Sequence, residues 1–289
     1  MKRNAFTLIE LMTVVGIIAI LAGLMLVGYN IFFSEANIGS SMRFDSSIHH
    51  SLGYALVGDW KMDDNAANST VVDTSGNGND GTFYSGASED NTANHSIDGA
   101  NGRALEFDGV DDYIEVSNNN NLDVEQEITV SIWLKTLNNY EWQGLAAKGD
   151  FDQGWHILGD YDPDGNLLQA WINLSDSGWV SVEKEIPLQE WVYVVLTYDG
   201  SSLKLYVNGN DNENSGLSGT IEGEESYSLK IGNDVYGDNY FNGTIDQVRI
   251  YKNGLSLSKI KQQYYTGLQR LYKKGLISRE EYIKRVVKR

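Results

Sequence analysis

The sequence predicts a mainly β protein of two packed antiparallel sheets, with a long α-helix before them and a helical hairpin after them. Three observations predict it. From about Tyr54 to Tyr251, short alternating apolar runs are separated by Gly/Asn/Asp clusters, and the chain has 30 glycines but only 2 prolines, a balance that suits many tight turns. Leu11 to Ser34 is a run of 24 residues with no formal charge. From Lys252 onward the apolar residues recur at helical spacing in a strongly basic setting.

The uncharged run comes first in the chain. As a helix it rises about 36 Å at ~1.5 Å per residue, enough to cross a hydrocarbon core of roughly 30 Å. Lys2 and Arg3 precede it, so the expected topology is a single pass with a cytoplasmic N-terminus and an exported body. A cleaved signal peptide is the plainer alternative. Glu10 stands out, because a carboxylate at the start of a membrane segment is costly and marks a functional candidate. Ile38, Met42, Ile48, Leu52 and Leu56 continue a helical spacing, with Gly53 or Gly58 as its natural stop. His49 and His50 are adjacent, hence about 100° apart on a helix and a poor metal pair.

Lys2 to Ala22, KRNAFTLIELMTVVGIIAILA, resembles the N-terminus of type IV pilins and of the pseudopilins of type II secretion. The resemblance implies cleavage by a prepilin peptidase between Ala5 and Phe6 and methylation of the new amino terminus. The family usually has Gly where this chain has Ala5. It further implies that Glu10 serves assembly with other pilin-like subunits. An acid in an apolar bundle can pair with the free ammonium of a neighbouring subunit's first residue.

The body follows. Ile128, Val130, Ile132 and Leu134 alternate with Thr129, Ser131 and Trp133. Val192, Val194 and Leu196 alternate with Tyr193, Val195 and Thr197, so this strand is apolar on both faces and belongs at the centre of a sheet. Asp199-Gly200-Ser201 turns the chain into Leu203, Leu205 and Val207, and Asn208-Gly209 supplies the positive-φ pair of a tight hairpin. About a dozen such runs suit a sandwich.

Six blocks occur in order: LVGDWKMDD (56–64), DTSGNGNDGT (73–82), RALEFDGVDDYIEV (103–116), ITVSIWLK (128–135), WVYVVLTYDGSSLKLYVNG (191–209) and NGTIDQVRIY (242–251). Together they resemble the LamG-like jelly roll of the concanavalin A-like superfamily. The resemblance implies a jelly-roll sandwich over 54–251, with Trp133 and Trp191 packed in a core. It also implies a structural calcium ion near the chain ends of the domain. The matching residues are Asp63, Asp73, Asn77, Asn79 and Asp246, and their oxygens are of the kind calcium prefers. The alternative is that Asn, Asp and Gly simply make turns.

A second acidic loop, Asp160-Tyr161-Asp162-Pro163-Asp164-Gly165, matches the opening of an EF-hand loop, but its twelfth position is Trp171. It reads better as a hairpin turn. Jelly-roll glycosidases need two closely spaced carboxylates, commonly Glu-x-Asp-x-x-Glu or Glu-x-Asp-x-Glu, and neither spacing occurs. G-x-S-x-G, P-loop and H-E-x-x-H motifs are also absent, and His95 and His156 are isolated in sequence. A non-enzyme is expected, with a glycoside hydrolase the weaker alternative. Trp142, Trp155, Trp171, Trp179, Tyr236 and Tyr240 lie in or beside polar segments, and aromatic faces beside Asn and Asp make a platform for a glycan.

The tail, 252–289, carries 11 basic and 2 acidic residues, net +9. The preceding 251 residues carry 11 basic and 38 acidic, net −27, which together give the chain's −18. An acidic body repels phosphates, so no nucleic-acid partner is expected. The basic tail should seek the body, a neighbouring subunit or an anionic surface polymer. Within it, Leu257 opens a helix to about Lys274, Gly275 breaks it, and Ser278 with Glu281 forms a capping box. LQRLYKKGLISREEYIKRVV (268–287) resembles SHOCT-like helical hairpins. With no cysteine in the chain, disulfides and thiolate metal sites are excluded.

The expected organisation is a leader at 1–5, a membrane and assembly helix at 6–53, a sandwich at 54–251 and a basic tail at 252–289. The expected function is a pilin-like or pseudopilin-like subunit at the cell surface, displaying a calcium-stabilised domain for adhesion to glycans. The alternative is a signal-anchored lectin that does not polymerise.

Overall fold

A computed structural model of the protein describes residues 12–21, 55–137, 142–150, 152–159, 166–223, 226–235 and 237–287. Residues 12–21 form helix α1, whose apolar side chains, Met12, Val15 and Ile18 among them, are all exposed. Ala5, Phe6, Glu10 and the rest of the expected long helix lie outside the described residues. Among the described residues no helix is long and apolar enough to cross a membrane.

The strands form two antiparallel sheets. In chain order they are β1 (Leu56–Trp60), β2 (Thr70–Val71), β3 (Gly81–Ser85), β4 (Ser88–Glu89), β5 (Ser96–Gly99), β6 (Gly102–Asp108), β7 (Asp112–Val116), β8 (Ile128–Thr136) and β9 (Gly144–Gly149). Then come β10 (Gly154–Gly159), β11 (Leu167–Leu174), β12 (Gly178–Glu185), β13 (Val192–Tyr198), β14 (Ser202–Val207), β15 (Asn210–Ser215), β16 (Leu229–Ile231) and β17 (Asn242–Tyr251). Sheet A runs β15-β14-β13-β8-β17-β6-β5, with β1 also on β17; sheet B runs β12-β11-β10-β9-β16-β7-β3-β2, with β4 on β3. A single turn of helix, α2 (Thr92–His95), precedes β5.

The alternation of side chains explains the packing. Ile132, Val194 and Leu196 of sheet A meet Ile114, Trp155 and Ile172 of sheet B in one apolar core. Strand β13 is buried along its whole length and sits between β8 and β14, as its two apolar faces require. Asn208 and Gly209 both have positive φ, 54° and 79°, and join β14 to β15 as a tight hairpin. Strand β17 carries a bulge at Gln247, φ 47°, where its register on β8 shifts. The extra residue lets Ile245 and Val248 both face the core and leaves Asp246 and Arg249 on the outer side of sheet A.

That outer side is roofed by the tail. Helix α3 (Leu257–Lys273) ends in a Schellman motif: Gly275, φ 73°, donates its N–H to Tyr272, and Leu276 donates to Leu271. Helix α4 (Arg279–Val287) starts with Ser278 Oγ accepting the Glu281 N–H at 3.1 Å. Ile260, Tyr264, Leu268 and Leu271 face Trp133, Tyr193 and Tyr251 in a second apolar cluster. Trp133 and Trp191 belong to this cluster rather than to the core between the sheets. Tyr264 stacks on Trp133 at 6.0 Å between ring centres, and Gln263 Nε2 donates to Tyr251 at 3.0 Å. Arg285 bonds the Trp191 carbonyl and the Glu190 and Glu281 carboxylates. The basic tail contacts the body, one of the partners expected for it.

Gly267 is where the helix comes nearest, since a Cβ there would overlap the Trp133 indole. Gly267→Leu should therefore loosen the hairpin and cost about 1–3 kcal/mol of stability, the usual effect of overpacking. Urea unfolding and limited proteolysis of the tail measure it; unchanged stability and cleavage would show that the roof is not tightly seated.

Candidate functional site

With the outer face of sheet A roofed, the outer face of sheet B is the candidate face for a ligand, half-exposed at the two ends of one row and buried at its centre. Trp155 and Ile157 of β10 point into the core, so His156 between them faces outward. Strand register then sets a transverse row: Ser181 opposite Trp171, Trp171 opposite His156, His156 opposite Ala147, Ala147 opposite Lys230, and Lys230 opposite Glu115. At ~4.8 Å per strand such a row spans roughly 24 Å.

The floor at the centre of the row is polar and buried. His156 Nδ1 lies 2.9 Å from Asp234 Oδ1, and the imidazole packs against Trp179 at 5.0 Å. Asn173 bonds the Asp152 carbonyl. At one end Trp171 and Trp179 are half-buried, and Trp171 Nε1 donates to Gln169 Oε1 at 2.8 Å. At the other end Tyr84 stacks on Tyr113 at 5.1 Å, Tyr240 tilts against Tyr113 at 6.1 Å, and the Lys230 ammonium lies 5.9 Å from the Tyr113 ring. Burial, then Glu115, raise the Tyr113 hydroxyl above the usual tyrosine range.

Of the six aromatic residues predicted from sequence, Trp171, Trp179 and Tyr240 reach this face. Trp142 is 44% exposed in the segment before β9, with φ 62°. Trp155 is fully buried in the core and presents no surface to a ligand, because it shares the inward phase with Ile157. Tyr236 and the acidic loop 160–165 lie outside the described residues. Strands β10 and β11 do pair antiparallel, with Gly159 opposite Leu168, as a hairpin requires. Sequence reading missed Tyr84, Tyr113, Lys230 and the His156–Asp234 pair; only the odd-numbered phase of β7 hinted at Tyr113.

The five residues expected to hold calcium divide into two places. Asp73 accepts the N–H groups of Asp59, Ser75 and Asn79, at 2.8–3.0 Å, and the Ser75 hydroxyl. Asn79 donates to the Val57 carbonyl and accepts from Asn119; Asn77 donates to the Leu56 and Val57 carbonyls. These three fasten their loop to the start of β1, where Asp59 forms a buried ion pair with Arg249 at 2.9 Å.

Asp63 and Asp246 come together elsewhere, at the turn between β5 and β6. The N–H of Asn101 donates to Asp246 Oδ2 at 2.6 Å and that of Arg103 to Asp63 Oδ1 at 2.7 Å. Asp246 Oδ1 is buried without a hydrogen-bond partner. Burial and then the neighbouring Asp63 charge push the Asp246 carboxyl up to about 7, against the pull of Asn101, Lys274 and Arg249. The set is hard oxygen donors with one orphaned carboxylate oxygen, and these residues fit calcium.

One other acidic group stands out among the described residues. Asp108, Asp111 and Asp112 hold oxygens within 4.8 Å of one another. Asp108 Oδ1 accepts the Val110 N–H and Asp112 Oδ2 that of Asp108, so the turn itself uses them. His95 bridges Asp90, at 2.9 Å, and Asp112, at 3.5 Å.

Comparison with known proteins matches this architecture. The family model described as the concanavalin A-like lectin/glucanases superfamily matches residues 108–261, just over half of the chain. The chain belongs to that superfamily. A prokaryotic N-terminal methylation motif matches residues 1–26 and implies a membrane-anchored protein whose body faces away from the cytoplasm. A search of curated proteins gives no match.

Among solved structures, domain 4 of AbnA, a GH43 extracellular arabinanase from Geobacillus stearothermophilus in complex with arabinotriose, is 21% identical with a TM-score of 0.56. That match covers 72% of this chain and 97% of the other. The binding domain of Paraclostridial Mosquitocidal Protein 1 is 17% identical, TM-score 0.55, covering 75% of this chain and 53% of that one. The botulinum neurotoxin serotype D binding domain is 18% identical, TM-score 0.56, covering 76% and 52%. This chain thus spans about half the length of the toxin binding domains, and these likenesses show the fold.

The Asp246 carboxyl makes stability depend on pH. Unfolded, it titrates near 3.8; folded, near 7. Between those values the folded chain holds a proton that the unfolded chain has lost, so stability falls as pH rises across this window. With EDTA present, thermal melting from pH 4 to 8 should show that decline, and Asp246→Asn should flatten it. An identical slope in the variant would remove Asp246 as its source.

Proposed function

We propose that the chain is a pilin-like or pseudopilin-like subunit of a cell-surface filament or secretion apparatus, displaying a glycan-binding, calcium-stabilised jelly-roll domain. The observation that carries the reading is the union, on one chain, of a methylation motif at 1–26 and a lectin-type sandwich with one sheet face roofed and the other lined by aromatic rings. In this reading residues 1–5 are the leader removed by prepilin peptidase before Phe6, and 6–53 anchor and assemble the subunit. Glu10 pairs with the amino terminus of a neighbour.

The sugar lies on the outer face of sheet B. The rings of Trp171 and Trp179 at one end and Tyr113, Tyr84 and Tyr240 at the other stack against its C–H faces. Lys230 and Glu115, both half-exposed, hydrogen-bond its hydroxyls and set its orientation. Trp142, exposed in the segment before β9, is a further stacking ring in this reading. The adhesion partner is a surface glycan.

Calcium has its place at Asp63 and Asp246 with the carbonyls of Gly99 and Gly102. The ion would supply the positive charge that ties β17 to the β5–β6 turn. In this reading Asp73, Asn77 and Asn79 support the cradle indirectly, by anchoring β1.

Two experiments test the reading. Tyr113→Ala and Trp171→Ala should each weaken binding to an oligosaccharide found on a glycan array, arabinotriose among the probes, by about tenfold, or ~1.4 kcal/mol. Wild-type affinity in both variants would remove the platform. Glu10→Ala should abolish incorporation into filaments while leaving glycan binding intact. Normal incorporation would favour the signal-anchored lectin that does not polymerise.

A further inference from the structure

We infer that Lys274 is a tethered cation beside the Asp63–Asp246 cradle, so that the end of α3 and a bound divalent cation compete for the Gly99 and Gly102 carbonyls. The inference rests on the reading of that cradle as a calcium site.

The β5–β6 turn presents two kinds of group. Its N–H groups, from Asn101 and Arg103, go to the Asp246 and Asp63 carboxylates. Its carbonyls, from Gly99 and Gly102, go to the Lys274 ammonium, at 2.9 Å from Gly99. Side chains are excluded at its two glycines: a Cβ on Gly99 would stand 2.7 Å from Asp246 Oδ2, and one on Gly102 would overlap Asp63 Oδ1. Both carboxylates therefore lie directly against the turn whose carbonyls hold the ammonium. Asp246 Oδ1 stays buried and unbonded all the same, and the Lys274 ammonium, held by the carbonyls, acts on the Asp246 carboxylate through its charge without a direct ion pair.

The placement of Lys274 follows from the fold of the tail. It is the C-cap of α3, and the Schellman bonds at Gly275 and Leu276 fix the direction in which its side chain leaves. One turn earlier Arg270 bonds the Asn101 side-chain oxygen, so the helix grips the same turn twice. Lys274 is itself exposed. Its ammonium can therefore withdraw into water while the Trp133–Tyr264 contacts keep the hairpin seated.

A divalent ion would answer both carboxylates and take the carbonyls that Lys274 holds. A compact ammonium is the natural occupant in its absence. Each occupant lowers the other's affinity by one and the same factor. Calcium would thus loosen the grip of the tail on the β5–β6 turn, and the docked tail would weaken calcium binding. The cradle becomes a point where the ionic milieu outside the cell adjusts how firmly a basic hairpin is held.

Calorimetric titration of the full chain in detergent with calcium tests this on wild type, Lys274→Met and Asp246→Asn. Lys274→Met should bind about tenfold more tightly than wild type, within the usual range of coupling between two ligands, and Asp246→Asn should lose the site. In wild type, calcium should also speed hydrogen exchange at the amides of Lys274, Gly275 and Leu276. Equal or weaker binding by Lys274→Met, with the site still lost in Asp246→Asn, overturns the competition and leaves the calcium reading standing. No calcium binding that depends on Asp246, in wild type or Lys274→Met, overturns both.

Discussion

Sheet A has two apolar faces, and water can be kept from only one of them by the partner sheet. On its outer side Trp133, Tyr193, Val195 and Tyr206 form a continuous patch, and aromatic side chains of this size each bury on the order of 150–250 Å². The buried Asp59–Arg249 pair lies on the same side, where an unroofed sheet would leave it in water. The C-terminal hairpin meets this demand. Its apolar stripe covers the patch, its Arg285 reaches the strand edge at Trp191, and its basic charge settles on an acidic body. The remaining features follow from that contact: the position of Lys274 at the β5–β6 turn, the role of the bulge at Gln247, and the freedom of sheet B to meet a ligand.

Much of this was legible in the sequence because the signals are local. The doubly apolar phase of Val192–Thr197, the Asn208-Gly209 pair, the break at Gly275 and the Ser278 cap each depend on neighbours a few residues away. The six blocks in order carried the topology as a whole. What failed was whatever depended on distant partners. Tyr84 meets Tyr113 only through the β3–β7 register, and Lys230 joins them from a strand of three residues. His156 and Asp234, 78 residues apart, carry no mark of their pairing.

The aromatic and calcium residues illustrate the same limit. Trp155 sits among polar neighbours in sequence, yet its phase with Ile157 turns it inward, and phase is set by the sheet. Asp73 and Asn79 have the right oxygens for a metal, and backbone N–H groups, Ser75 and Asn119 already engage them, while Asn77 turns its amide nitrogen to the start of β1. Asp63 and Asp246 escape that fate because each meets a backbone N–H from a third segment, leaving a carboxylate oxygen over. The Gln247 bulge, which turns Asp246 outward, has no signature in residue type, since glutamine with positive φ is an unusual choice for such a place.

The division of the molecule into a roofed face and an open face is the central claim, and a crystal structure of the full chain with a bound oligosaccharide addresses it most directly. The expected result is sugar on the outer face of sheet B, stacked on Trp171 and Trp179 or on Tyr113 and Tyr240, with the hairpin still seated on Trp133. Sugar bound against the hairpin or on sheet A, with the row from Trp171 to Lys230 bare, would contradict it.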